Sequence, residues 1–224
     1  MQDAVPPLIN RRNQVVESPL QERRYCKHVF RIASVGSDTN DPRCELDSHA
    51  DTCVAGSNTI RVSDNDRLVT VHAYSHEYKP LKDIPVATVA TLWVDPKDGQ
   101  PYILIIHEAL YFGDRLKSTL LCPNQLRANG LLVDDVPRQF DTKSSHSIYV
   151  PEDKLRVHLT LQGVVSGFES RKPTMEEYAE YPHIELTSPL EWEPNSCDMA
   201  NKENQVAKCQ RLRRMKHKRP QNVL

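Results

Sequence analysis

The sequence predicts a mainly β domain, and three observations carry that expectation. Leu68-Val69-Thr70-Val71-His72-Ala73-Tyr74 is rich in β-branched residues. Ile84 to Val94 is a long run of valines, threonines and alanines. Tyr102-Ile103-Leu104-Ile105-Ile106-His107 comes next, with Asp95-Pro96-Lys97-Asp98-Gly99-Gln100 between the two. Asp-Gly supplies the positive φ of a tight hairpin, and the unbroken apolar run of the second strand implies burial on both faces.

Along the chain, residues 1–42 read as a polar, basic leader, with Arg11, Arg12, Arg23, Arg24 and Lys27; Val29, Phe30 and Ile32 are candidates for an edge strand. Residues 43–170 form the β body. Within it, Thr119-Leu120-Leu121 is a short buried strand. Pro123 to Asn129 reads as a short helix, with proline in its first turn and Gly130 past its end. Leu131-Leu132-Val133 resumes β structure. Leu155 to Leu161 alternates apolar and polar as one half-exposed strand, continued by Gly163 to Phe168. Residues 171–224 read as a polar tail. Thr174 and Glu177 make a capping box that starts a short surface helix, and Lys208 to Arg219 is strongly basic.

Composition narrows the function. The chain has 224 residues, 38% of them hydrophobic, and a net charge of -1. Its mean hydropathy is -0.59. That fits one folded core with loosely ordered ends, and no global field drawing nucleic acid or membrane. Met1 to Pro7 lacks the apolar run of a signal peptide, and no segment reaches transmembrane length. Six scattered cysteines without a C-x-x-C spacing fit reduced thiols, so a cytoplasmic location is expected, with the nucleus or a virus-like particle as alternatives.

The chemistry centres on Cys44-Glu45-Leu46-Asp47-Ser48-His49-Ala50-Asp51-Thr52-Cys53. An extended approach delivers Asp47 into a tight loop with a hydroxyl beside it. Two such carboxylates brought together share one proton, and the pair can activate water and protonate an amide. The bland alternative is an aspartate capping its own turn. Asp51 is a secondary candidate, better read as a turn or ion-pair residue. Asp47, His49, Asp51 and Cys53 alternate and invite a metal reading. The donor set mixes hard and soft ligands, however, and His72, His76 and His107 lie in no H-E-x-x-H pattern. Cys26-Lys27-His28 offers too few ligands. No metal and no cofactor are expected. Cys122 reads as a small core residue.

Asp47-Ser48-x-Ala50 resembles the Asp-Thr/Ser-Gly-Ala signature of retroviral-type aspartic proteases. Glu108-Ala109-Leu110-Tyr111-Phe112, Leu116, and Thr119-Leu120-Leu121-Cys122-Pro123-Asn124-Gln125-Leu126 are similar to the "LYVP" strand and "NLLS…QL" helix of the Copia-type protease region. Val150 to Leu155 and Arg171 to Thr174 are similar to the segment downstream of the protease in Copia-like polyproteins. The resemblance spans roughly 43–185. It implies a retropepsin-like closed β-barrel with one short helix, working as a homodimer in which each chain supplies Asp47. Ser48, His49 and Ala50 would brace the loop. A flap lying within 72–100 would close on an extended peptide, with Asp98-Gly99 a candidate tip. The substrate would be junctions of the chain's own retrotransposon polyprotein. His49 departs from the family's glycine. That keeps two further readings open: an inactive retropepsin-like fragment serving as a dimerisation or interaction module, and a nucleic-acid-binding accessory protein acting through 208–219.

Overall fold

The computed structural model describes residues 24–28, 42–73 and 77–194, the first of these by backbone alone. The edge-strand residues Val29, Phe30 and Ile32 and the basic end 208–219 lie outside the described residues. So do the leader up to Arg23, the side chains of Cys26 and His28, and His76.

The mainly β expectation holds. Three long strands make a meander: β4 (Ile60–Ala73), β5 (Leu81–Val94) and β6 (Pro101–Gly113). The Asp95–Gln100 turn joins the last two. Gly99 takes φ +78°, and the Asp95 and Asp98 carboxylates accept from the Lys97 and Gln100 N–H groups. As the apolar run requires, β6 is buried from Ile103 to Ile106. Around the meander lie β1 (Arg24–His28), β2 (Arg43–Leu46), β3 (Val54–Gly56) and β7 (Thr119–Leu121), together with α1 (Pro123–Ala128). The chain continues through β8 (Leu132–Asp134), β9 (Ser147–Val150), β10 (Leu155–His158), β11 (Thr160–Gln162) and β12 (Val165–Glu169). It reaches α2 (Met175–Glu180) and β13 (His183–Glu185).

The ten-stranded sheet runs β1-β4-β5-β6-β3-β7-β2-β12-β11, with β13 added to β6; β10-β9-β8 form a second, three-stranded sheet. Among the described strands no ladder joins the two ends of this path, so it is an open sheet and not the closed barrel the resemblance implied. The main core holds Leu104 and Ile106 of β6, Leu121 and Leu126 around α1, and Ile148 and Val157 of the small sheet. Tyr178 of α2 and Tyr181 just past its end pack against Leu92, Ile103 and Ile105.

Two boundaries differ from expectation. Leu155–Leu161 is not one strand. Leu159 is buried, its N–H donates to the His146 carbonyl, and the chain passes there from the small sheet into the large one. Its alternation is genuine, but the two halves pair with different partners. The body also runs on past residue 170. Arg171 pairs with Leu92, β13 pairs with β6, and Trp192 is buried. The Thr174–Glu177 capping box forms in full and starts α2.

Candidate functional site

β2 delivers Asp47. It lies between β7, parallel to it, and β12, antiparallel. The contact with β12 is close: a Cβ on Gly167 would stand 2.3 Å from the Cys44 carbonyl oxygen, so the position demands glycine. β3 does not pair with β2, although a single loop joins them. It lies on the far side of β7, so loop 47–53 strides over the end of that strand. The Asp47 N–H donates to the Leu121 carbonyl at 2.9 Å, and the Cys122 N–H donates to Cys53 Sγ at 3.2 Å.

The loop is braced from below by buried polar side chains. Gln125 of α1 accepts from the Cys53 N–H at 2.8 Å and donates to the His107 and Glu108 carbonyls. One amide thus ties the Asp loop, the helix and β6 together. Asn58 accepts from the Thr119 hydroxyl at 2.6 Å and donates to Ser170 at 2.8 Å, linking the strands on either side of β2. Burial pushes the Cys44 thiol up to about 12 and raises that of Cys122. The Asp51 and Asp47 carboxylates add to the effect at Cys122. Neither thiol is a poised nucleophile.

At the top of the loop the Asp47 carboxylate is almost covered. Its Oδ1 accepts from the His49 N–H at 2.9 Å and the Ala50 N–H at 3.2 Å. Ser48 and His49 are exposed, with Ser48 Oγ 3.5 Å from His49 Nδ1. His49 is not among the residues with positive φ, so this loop does not need glycine at that position for backbone reasons. The histidine supplies the N–H and directs its ring outward. Asp51 is half-buried, and its carbonyl accepts from the Trp192 indole. Cys53 is buried beneath the loop, away from the exposed His49. Among the described residues no three His, Cys, Asp or Glu side chains converge as metal ligands.

Sequence reasoning missed a second buried carboxylate. Glu108, at φ +55°, interrupts β6 where its neighbour changes from β13 to β3. The bulge turns its carboxylate towards Asn65, Arg67 and the Trp192 N–H. Arg67 pairs in turn with Glu191 at 2.6 Å. Nothing local in Ile106-His107-Glu108-Ala109 marks this, because the partners come from β4 and from beyond β13. The bracing role of Gln125 was also missed. A glutamine followed by a core leucine in a six-residue helix was its only signal.

Arg67 of β4, Val86 of β5 and Glu108 and Leu110 of β6 line a small cavity with Thr52 and Trp192 at the end of the Asp loop. The Asp98-Gly99 turn is held by its own backbone and side chains. Comparison with known proteins adds nothing to this geometry: no family model, curated protein or solved structure matches the chain. No helix among the described residues is long and apolar enough to cross a membrane.

Proposed function

We propose that the chain is an aspartic endopeptidase of the retropepsin type, from a Copia-like retrotransposon polyprotein, in which two copies pair and each contributes Asp47. The observation that carries this reading is the Asp47 carboxylate. It is held by two loop N–H groups at the end of a strand, beside exposed Ser48 and His49. A two-fold interface placed there sets the carboxylate against its twin. Like charges at that distance cannot both persist, so the pair keeps one proton. The ionised Asp47 takes a proton from the attacking water. The protonated one polarises the scissile carbonyl and passes its proton towards the leaving amine. A flap from within 72–100 closes over the bound peptide and excludes water, with the Asp98-Gly99 turn a candidate tip. The substrate is an extended polypeptide, most simply a junction of the parent polyprotein, and no metal or cofactor enters the reaction. The test is pepstatin-sensitive cleavage of a peptide library at mildly acidic pH by the dimeric chain. Its absence removes the reading.

One observation favours a second reading, an inactive module that only pairs or binds. The imidazole of His49 is exposed beside Ser48, where a partner copy would approach. Activity that appears only after His49→Gly assigns the natural chain to this second class.

A further inference from the structure

We propose that the segment Ser188–Trp192 is a plug that occupies the space beside the end of the Asp loop where an extended peptide would lie, so that the chain in this conformation is autoinhibited. The consequence for cleavage rests on the endopeptidase reading; the seating of the plug does not. After β13 the chain stays beside β6: the Leu186 N–H donates to the Ile105 carbonyl, and the Thr187 hydroxyl donates to that of His107. It then leaves the sheet and brings Trp192 to the end of the Asp loop.

Three hooks hold it there. The Trp192 N–H donates to Glu108 at 3.0 Å, its indole Nε1–H donates to the Asp51 carbonyl at 2.8 Å, and Glu191 pairs with Arg67. The indole is 8% exposed and fills the space between Thr52, Val86 and Leu110, leaving a cavity of only about 10 Å³.

The chemistry of the seat is that of a peptide subsite. The Asp51 carbonyl lies on the segment that leaves the catalytic loop, four residues from Asp47. A backbone acceptor in that position is what an extended substrate uses to align itself, and here the indole takes it. The Thr52 hydroxyl lines the same space, is 2% exposed, and makes no hydrogen bond among the described residues. The plug leaves unmet a polar group that a bound peptide can satisfy. Its grip is also local. Leu190 and Glu191 are exposed, and the ring of Trp192 is the segment's one large buried side chain. An occupant held in this way lowers the apparent affinity for any competing peptide in proportion to the fraction of time it is seated.

The experiment uses the full chain and a fluorescein-labelled peptide of residues 188–194, Ser-Pro-Leu-Glu-Trp-Glu-Pro, read by anisotropy. Trp192→Ala is expected to bind this peptide at least tenfold more tightly than the natural chain, and to cleave a peptide library with a lower KM. Glu191→Arg sets a cation against Arg67 on the exposed side of the segment. It is expected to shift binding in the same direction, and it carries the test if Trp192→Ala fails to fold by circular dichroism. Equal binding by the natural chain and a folded variant overturns the proposal. The double variant Asp47→Asn, Trp192→Ala separates the two claims, since it is expected to keep the gain in binding and to lose cleavage. A gain in binding without cleavage by any form leaves the plug standing and removes the protease. Cleavage without any gain does the reverse.

Discussion

Asp47 and Glu108 are both largely buried carboxylates, yet they draw their partners from different places. Glu108 is 4% exposed and has its partners inside the fold: Asn65, the Arg67 guanidinium and the Trp192 N–H, drawn from two distant parts of the chain. Asp47 is held through one oxygen by its own loop, and the residues beside it, Ser48 and His49, face outward. On the proposed reading, an acid held only by its own loop is left available for chemistry, whereas one satisfied from distant parts of the fold stabilises. Burial alone does not tell the two apart; the variants below do.

The contrast is broken most sharply at Asp47 itself. Asp47→Asn keeps an acceptor for the His49 and Ala50 N–H groups, so the melting temperature is expected to stay nearly unchanged. Peptide cleavage should fall by about 10²–10⁴-fold, the usual contribution of a positioned acid–base group. A melting temperature that drops with the activity would make Asp47 a structural residue like Glu108.

Glu108→Ala should behave in the opposite way. It strands Arg67 beside a cavity and removes the acceptor for the Trp192 N–H. Losing one partner of a buried pair costs about 3–5 kcal/mol, and because Arg67 is 27% exposed and keeps Glu191 the lower end applies, about 3 kcal/mol in urea unfolding. A change below about 1 kcal/mol would mean that the pair contributes nothing to the fold.

Gln125→Ala sharpens the comparison, since it removes the brace beneath Asp47 without touching the acid. The buried Cys53 N–H loses its acceptor, an expected cost of about 1–3 kcal/mol. If the brace also positions the loop, cleavage should fall further than stability explains, through kcat more than KM.

The smallest expected effect lies outside both sites. The Arg171 guanidinium, with help from the Thr174 N–H, holds Glu177 down at about 2 against an ordinary 4.5. A depressed acid stabilises the folded chain above its unfolded value and loses that contribution as pH falls towards its folded one. The natural chain should therefore lose stability relative to Glu177→Gln between about pH 4.5 and pH 2. Glu177 lies at the surface, so salt should weaken the difference. Identical acid profiles for the two chains would remove this coupling.

Legibility in the sequence divides along the range of the interactions involved. The Asp95–Gln100 turn, the helix opened by Pro123 and the Thr174–Glu177 capping box rest on contacts a few residues long, and each forms. The position of Asp47 at a strand end was readable for the same reason. The open path of the sheet, the division of Leu155–Leu161 and the bulge at Glu108 depend on which strand lies alongside. The Trp192–Asp51 bond joins residues 141 positions apart. Periodicity gives the faces of a strand but not the identity of its neighbour. The expected end of the β body at 170 falls short for that reason: His183-Ile184-Glu185 becomes a strand only because β6 offers it an edge.

The central claim is that hydrolysis needs one Asp47 from each of two chains. Natural and Asp47→Asn chains, refolded together in graded proportions and assayed at a fixed total concentration, test it directly. If the acid pair is shared across a two-fold axis, mixed dimers are inactive and cleavage follows the square of the natural fraction, so an equal mixture retains about one quarter of the rate. A rate that falls in simple proportion, to about one half, would place a complete catalytic site within a single chain and contradict the account.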